Sequence, residues 1–174
     1  MITVTMSTVI SADRSRVWSA LTEPTQLIRW DDRLLALLEP VDDAAHVGQS
    51  LRWRYRLGTV PVLLREELVE VVPFERLRAD LSFGLMRATT TYSLATNGNP
   101  NRTRISLKIA ALNSVPVVGG EIDRFEVRHI ATSFVDTKLR HLSVWFDANS
   151  ESLITPVETD DHPLAAPPAA PSPA

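Results

Sequence analysis

The most informative candidate for chemistry in this sequence is a lysine on the predicted apolar face of a helix. Residues 121–147 contain neither proline nor glycine. At about 100° per residue, Lys138 falls in the same stripe as Phe134 and Trp145. A buried ammonium is costly unless an acid pairs with it. Two interpretations remain open: Lys138 is a cation that faces a bound ligand, or its ammonium extends to water, Glu66 or Glu67.

Other reactive side chains form no recognisable site. The chain has no cysteine, which excludes disulfides, thiol nucleophiles and cysteine-containing zinc sites. His129 follows Glu126 by three residues, but a single such pair is weak evidence for a metal. His141 lies at the edge of the apolar stripe and could contact a ligand. Without a nucleotide loop or hydrolase motif, we expect no metal and no cofactor, and the sequence identifies no catalytic residue.

The charge pattern argues against nucleic acid as a partner. The formal net charge is −3, whereas a polyanion-binding protein would be clearly basic. Arginine outnumbers lysine 16 to 2, a composition typical of GC-rich bacterial genomes. Arg52, Arg54 and Arg56 alternate along a predicted strand, with Arg76 and Arg78 nearby. This face is either solvated and balanced by acids, or it is a surface for an anionic membrane or a protein partner.

The 174 residues, 44% of them apolar, predict one globular domain at residues 1–150. Residues 151–174 form a proline- and alanine-rich tail that we expect to be disordered. No segment approaches the roughly 18 uncharged apolar residues of a membrane span, and the first residues lack a basic leader. These features favour a cytoplasmic protein.

Hydrophobic periodicity then predicts the elements that position these residues. A strand at Thr3–Ser11 precedes two short helices; Asp13 caps the first and Pro24 separates them. Alternating segments to about residue 111 predict an antiparallel meander. The alternation of Val60–Val72 is broken at Arg65-Glu66-Glu67, which indicates an inward glutamate or a β-bulge. A long helix over 121–147 follows, with an apolar stripe of Val127, Ile130, Ala131, Phe134, Val135, Leu142 and Trp145.

This order of elements resembles the START-like or SRPBCC superfamily, in its polyketide cyclase/dehydrase and lipid-transport branch. Three segments carry the resemblance: Val17 to Trp30 (V-W-S-A-L-T-E-P-T-Q-L-I-R-W), Val47 to Trp53 (V-G-Q-S-L-R-W) and Val69 to Leu77, with its Pro73. The resemblance implies an α+β helix-grip fold. In that fold, a curved antiparallel sheet of six to seven strands wraps around a long C-terminal helix, with two short helices after the first strand.

The resemblance also implies a ligand cavity between the sheet and the long helix. The residues expected to line it are Trp53, Tyr55, Leu81, Phe83, Met86, Ala88, Thr90, Tyr92, Ile105, Leu107, Phe134, Lys138, His141 and Trp145. The implied function is binding of a hydrophobic small molecule: a lipid, a polyketide or an aromatic metabolite.

Two alternatives remain open at this point. One is a polyketide cyclase- or dehydratase-like enzyme that uses Tyr55, Tyr92, Lys138 and Glu66 or Glu67. The other is a protein-interaction module resembling chaperone activators. The expected oligomeric state is a monomer or a homodimer.

Overall fold

The computed structural model describes residues 1–41, 44–111, 115–117 and 120–151. For residues 115–117, 120–122, 150 and 151 it describes the backbone alone. Beyond Glu151, the predicted C-terminal tail lies outside the described residues. The domain boundary at residue 150 therefore stays a prediction.

A seven-stranded antiparallel sheet forms the body of the fold, as the alternating sequence predicts. Its strands are β1 (Ile2–Ile10), β2 (Leu34–Leu37), β3 (Ser50–Leu57), β4 (Val60–Val72), β5 (Arg76–Phe83), β6 (Met86–Thr96) and β7 (Thr103–Ala111). The spatial order is β1-β7-β6-β5-β4-β3-β2, so all strands from β2 to β7 pair with their sequence neighbours. A separate hairpin joins β8 (Val115–Val117) to β9 (Gly120–Ile122). The sheet is open, because β1 and β2 remain at opposite edges.

Two tight turns lie at the same end of the sheet. Gly58 links β3 to β4 with φ 62°, and Gly84 links β5 to β6 with φ 56°. A Cβ at either position would meet no atom within 4 Å, so the requirement for glycine is conformational rather than steric. These turns mark the end of the sheet at which the cavity described below opens.

Three helices complete the domain: α1 (Arg14–Thr22), α2 (Pro24–Trp30) and α3 (Arg124–Glu151). The predicted cap is confirmed, because Asp13 accepts hydrogen bonds from the amides of Ser15 (2.9 Å) and Arg16 (3.0 Å). Trp30 ties α2 to α1 by donating its Nε1 hydrogen to the carbonyl of Ala20 (2.7 Å). The arrangement is the predicted helix-grip fold, with α3 packed mainly against β1 and β7.

The predicted start of the long helix at Glu121 is wrong by three residues. Residues 120–122 pair with β8 instead, and Asp123 begins the helix as its cap. The Asp123 carboxylate accepts hydrogen bonds from the amides of Phe125 (2.7 Å) and Glu126 (3.0 Å). A side-chain oxygen that satisfies these two amides fixes where a helix can start.

The apolar stripe of α3 is confirmed at five of its seven predicted positions and corrected at two. Ile130 is 37% exposed and Trp145 is only partly buried, whereas Leu139 and Phe146 are buried. Phe146 points into the core, and the Trp145 ring lies beside it at 4.8 Å in an edge-to-face contact. The inward face is therefore rotated slightly from the one that periodicity predicts.

This geometry predicts which of the two neighbouring aromatic residues holds α3 in place. We expect Phe146→Ala to lower the free energy of unfolding by about 3–5 kcal/mol, because it empties a fully buried site. Trp145→Ala should cost less, about 1–2 kcal/mol, because its side chain is only partly buried. Urea unfolding of both variants tests the ranking. A larger loss for Trp145→Ala would mean that the helix presents the other aromatic to the core.

Candidate functional site

The centre of the interior is a buried ion pair between α3 and the residue that follows α2. Lys138 Nζ lies 2.6 Å from Oδ2 of Asp31, whose side chain is 1% exposed. The other oxygen of Asp31, Oδ1, accepts a hydrogen bond from the amide of Arg33 (3.2 Å). The rings of Trp30 and Phe134 flank the ammonium, with centroids 5.4 and 5.3 Å from Nζ. Sequence analysis found the lysine but not its partner.

Electrostatics keep Lys138 charged in this site. Burial is the largest single effect and acts to lower the pKa of Lys138, but the carboxylate of Asp31 together with Tyr92, Tyr55 and Glu66 outweighs it. The net result is a pKa above the ordinary lysine value. At neutral pH the interior thus contains one cation and one anion in direct contact, and their charges cancel.

Two weaker contacts extend the ion pair along α3. His141 Nδ1 lies 3.3 Å from Asp32, an attraction that operates when the histidine is protonated. The guanidinium of Arg33 donates to the hydroxyl of Thr137 (3.1 Å). Consecutive residues 31–33 therefore hold one turn of α3, and we call these contacts the 31–33 clasp.

Residues Asp31, Asp32 and His141 also offer three possible metal-ligating atoms within 4.8 Å of one another. The protein already supplies cations to both carboxylates. Lys138 forms an ion pair with Asp31, and Arg56 Nη2 lies 3.0 Å from Asp32. These ion pairs explain why the two carboxylates lie close together without a metal ion.

Glu66 is the inward-facing glutamate that the broken alternation of β4 left undecided. It is partly buried, and Trp53 donates its indole hydrogen to Oε2 at 3.2 Å. Glu67 points outward, with an oxygen 3.8 Å from Arg65. A register shift between Leu68 and Glu70 shows that the bulge is present as well. Both explanations offered for the irregular pattern are thus correct.

Burial raises the pKa of the Glu66 carboxyl above its ordinary value, although Lys138 and the Trp53 hydrogen bond oppose the shift. The same environment raises the pKa of Tyr92 to about 12, mainly through desolvation. Both shifts favour the protonated form of the group over the charged one. Glu66, Tyr92, Tyr55 and the Asp31–Lys138 pair form an interior polar cluster.

An apolar cavity of about 50 Å³ lies beside this cluster, between the sheet and the first half of α3. It is lined by Tyr55, Leu57, Phe83, Met86, Arg87, Ala88, Ile109, Ala111, Val127, Ile130, Ala131 and Phe134. The small side chains of alanines on β6, β7 and α3 leave the gap. Leu57, Arg87 and Ile130 both line the cavity and reach solvent, so they form its rim.

The structure brings some of the predicted ligand residues together at this cavity and places others elsewhere. Tyr55, Phe83, Met86, Ala88 and Phe134 line it. Those that are not among the lining residues but belong to the core or the polar cluster are Trp53, Leu81, Thr90, Tyr92, Ile105, Leu107 and Lys138.

His141 and Trp145 lie at other features of the structure. His141 contacts Asp32, and Trp145 borders a surface depression beside α1. The ligand residues predicted from sequence did not include Leu57, Arg87, Ala111, Val127, Ile130 or Ala131, which line the cavity. Leu57 and Ala111 continue the inward alternation of their strands, and the three α3 residues belong to the predicted apolar stripe, whereas nothing in the sequence pattern pointed to Arg87.

The outward arginines are largely balanced by acids, which was one of the two interpretations of that face. Arg52 pairs with Glu39 (2.5 Å), Arg56 with Asp32 (3.0 Å) and Arg76 with Glu70 (3.1 Å). Such exposed pairs contribute little to stability. They do reduce the positive potential that an anionic surface would need.

The buried ion pair predicts the effect of removing its cation. Lys138→Met leaves the Asp31 carboxylate desolvated and without its counter-ion, so we expect a loss of about 3–5 kcal/mol in the free energy of unfolding. The double variant Asp31→Asn with Lys138→Met should lose less than Lys138→Met alone, because no charge is stranded. Urea unfolding measures all three proteins. A neutral or stabilising Lys138→Met would contradict the pairing.

A second prediction concerns Glu66 and pH. In the unfolded chain the Glu66 carboxyl loses its proton above its ordinary pKa of 4.5, whereas the folded protein keeps that proton to a higher pH because the pKa is raised. The contribution of protonated Glu66 to stability is therefore fully present below pH 4.5 and is lost as pH rises through the raised pKa. Glu66→Gln mimics the protonated form, so its stability relative to wild type should increase between pH 4 and pH 8. The outward Glu67→Gln is the control, and the same trend in both variants would refute the assignment.

No helix in the described part of the chain is long and apolar enough to cross a membrane.

Comparison with known proteins agrees with this architecture. A START superfamily protein from Mycobacterium smegmatis superposes with a TM-score of 0.71 at 10% identity, covering 84% of this chain and 98% of that one. Protein MLL2253 from Mesorhizobium loti gives 0.63 at 19% identity, covering 84% and 98%.

An HSP90 activator from Plasmodium falciparum gives a TM-score of 0.63 at 14% identity, covering 84% of this chain and 97% of that one. At these identities the likeness establishes the fold alone. No curated protein matches the chain. Residues 1–143 match the family model described as polyketide cyclase/dehydrase and lipid transport. The resemblance inferred from sequence is thus confirmed, and the chain belongs to the polyketide cyclase/dehydrase and lipid-transport family.

Proposed function

We propose that this protein binds a hydrophobic small molecule in the cavity between its sheet and α3. The observation that carries the proposal is the lining of that cavity. Ten of its twelve residues are aliphatic, alanine, methionine or phenylalanine, and they come from both the sheet and the helix. Enclosed apolar surfaces with very few polar groups are characteristic of small-molecule sites.

The rim provides a route for a ligand to enter. Leu57 is 41% exposed and Ile130 is 37% exposed, and both also line the interior. An adjoining open depression of about 590 Å³ shares Leu57, Phe83, Met86 and Arg87 with the cavity. Because the enclosed part measures only about 50 Å³, a ligand would place a compact end inside and extend over the rim. Methionine at the boundary adapts its shape easily to such a ligand.

The family description adds support for the ligand class. It includes lipid transport and polyketide chemistry, and both involve molecules with extensive apolar surface. The low sequence identities to solved structures transfer no specific ligand. The proposal is therefore a class of ligand, hydrophobic and compact at one end.

A cyclase- or dehydratase-like enzyme is the second candidate, and Glu66 is the observation that favours it. A carboxyl whose pKa is raised by burial is a suitable proton donor and acceptor near neutral pH. It belongs to the same interior cluster as Tyr55, which lines the cavity. Recovery of the ligand distinguishes the candidates: a carrier returns it unchanged, whereas an enzyme converts it and Glu66→Gln abolishes the conversion.

The third interpretation from sequence, an interaction module built on the arginine face, has less support. Arg52, Arg56 and Arg76 already have acidic partners within the chain. A charged protein partner would have to displace these pairs. Retention of a small molecule through purification would favour binding in the cavity over this interpretation.

Filling the cavity tests the proposed function. Ala131 is 4% exposed and lines the cavity from α3, so Ala131→Leu should place a bulky side chain in the ligand space. We expect at least a tenfold loss of affinity for an apolar fluorescent dye, measured by titration. Ala148→Leu makes the same change at an exposed position of α3 and should bind like wild type.

Thermal unfolding of both variants separates a blocked site from a damaged fold, because overpacking can cost about 1–3 kcal/mol. Equal dye affinity in wild type and a folded Ala131→Leu would place binding elsewhere. The proposed function in this cavity would then be wrong.

A further inference from the structure

Arg87 is the one charged residue among the cavity-lining residues that the structure describes. It also borders the adjoining open depression, together with Leu57, Phe83 and Met86. Its side chain is exposed, whereas the rest of the lining is almost entirely apolar. The cavity therefore has a cation at its mouth, where a ligand would pass from the enclosed space to the open depression.

Local geometry directs the guanidinium of Arg87 toward the end of the sheet. Arg87 alternates with Met86 and Ala88 along β6, so its side chain leaves the sheet on the outward face. Two hydrogen bonds then turn it back, because Nη1 donates to the carbonyls of Gly84 (2.7 Å) and Met86 (3.3 Å). Gly84 itself borders the open depression. The charged group is thus held at the β5–β6 turn, beside the mouth of the cavity.

The guanidinium retains donors that the chain does not use. Both hydrogen bonds of Arg87 come from Nη1, and neither Nη2 nor Nε bonds to any group in the described ranges. An arginine side chain has five N–H donors, and the edge formed by Nε and Nη2 matches the two oxygens of a carboxylate. One edge of the fork is therefore available to a carboxylate that comes from outside the chain.

The charge of Arg87 is also available. No carboxylate of the described residues lies within 4 Å of it, whereas the outward arginines on β3 and β5 described above have acidic partners. Asp80 borders the same outward face, but its Oδ1 accepts a hydrogen bond from Thr89 (2.7 Å) instead. One cation with an acid nearby suits a single negative charge better than a doubly charged phosphate.

The position of Arg87 decides which end of a ligand would carry that charge. A carboxylate placed inside the apolar lining would lose its hydration, which is a large penalty. At the exposed mouth, a carboxylate keeps contact with water while it accepts hydrogen bonds from the guanidinium. The apolar end of the same molecule can then occupy the enclosed space.

We propose that Arg87 is the recognition group for a carboxylate at the outer end of the ligand, whose apolar end fills the cavity. The inference rests on the proposed function and makes it more specific. The ligand class becomes amphipathic monocarboxylic acids that bind with the carboxylate at the rim. The contact is a paired, charge-assisted hydrogen bond from Nε and Nη2 to the two carboxylate oxygens.

Three compounds with alkyl chains of similar length test this preference: decanoate, decanamide and decylammonium. Equilibrium dialysis below micelle-forming concentrations measures the affinity of each for the full-length wild type and for Arg87→Gln. Wild type should bind decanoate about fivefold more tightly than decanamide, the effect of a partly exposed charge pair, and decylammonium most weakly. Arg87→Gln should bind decanoate and decanamide within about twofold of each other, with its affinity for decanamide close to that of wild type.

Two control variants separate recognition from loss of charge in general. Arg102→Gln removes one exposed arginine from the turn between β6 and β7, at the opposite end of the sheet, and should keep the full preference for decanoate. Arg87→Lys keeps the charge but not the fork, so it should keep only part of the preference. In wild type the preference should shrink as salt concentration rises, because exposed charges are screened. Thermal midpoints of all variants should lie within about 2 °C of wild type, as expected for surface positions.

The outcomes separate this inference from the proposed function. If Arg87→Gln keeps the preference for decanoate, or if it weakens all three compounds equally, Arg87 does not recognise the carboxylate, and the apolar site still stands. If none of the three compounds binds to wild type, or if Ala131→Leu binds them as tightly as wild type does, the inference and the proposed function both fail.

Discussion

The buried ion pair between Asp31 and Lys138 is the interaction on which the arrangement of the interior depends. Removing two charges from water is expensive, and close contact with additional polar partners is needed to offset it. Here the contact is 2.6 Å, an amide hydrogen bond supports the carboxylate, and two aromatic rings flank the ammonium. Neither ion can move away without stranding the other. The pair therefore sets where the middle of α3 lies relative to the end of α2.

The location of the cavity follows from this attachment. The 31–33 clasp holds α3 at Thr137, Lys138 and His141, and Phe146 packs the C-terminal part of the helix into the core. The first half of α3 has no such clasp among the described residues, and its inward face meets alanines on β6 and β7. Small side chains on opposing surfaces cannot fill the space between them. The gap thus forms at the end of the sheet where the helix is least tightly attached.

The polar cluster gives this interior a distinct chemical character within a common fold. Pairing cancels the charges of Lys138 and Asp31, and burial favours the protonated forms of Glu66 and Tyr92. The family fold supplies the groove between sheet and helix, whereas these particular side chains set the polarity of the interior beside it.

The sequence by itself determined the order of the main elements and the family, but not the β8–β9 hairpin, whose second strand it assigned to the long helix. Alternation of apolar and polar residues located the strands, and Asp13 marked the start of the first helix. The segment from Val17 to Trp30 supported the family resemblance. Local patterns suffice for these features because each depends on residues that are close together in the sequence. It also placed Lys138 on the inward face. It could not choose between Trp145 and Phe146, because adjacent positions both fall within a broad helical stripe and packing against other elements decides.

Only the tertiary structure identified Asp31 as the partner of Lys138, since the two are far apart in sequence and Asp31 lies in a turn without periodicity. Only the tertiary structure turned Glu66 inward and Glu67 outward, with the bulge after Leu68 shifting the register that alternation assumes. The cavity, too, could be located only from the tertiary structure. It depends on the distance between α3 and the sheet, which is set by long-range contacts that no local pattern encodes.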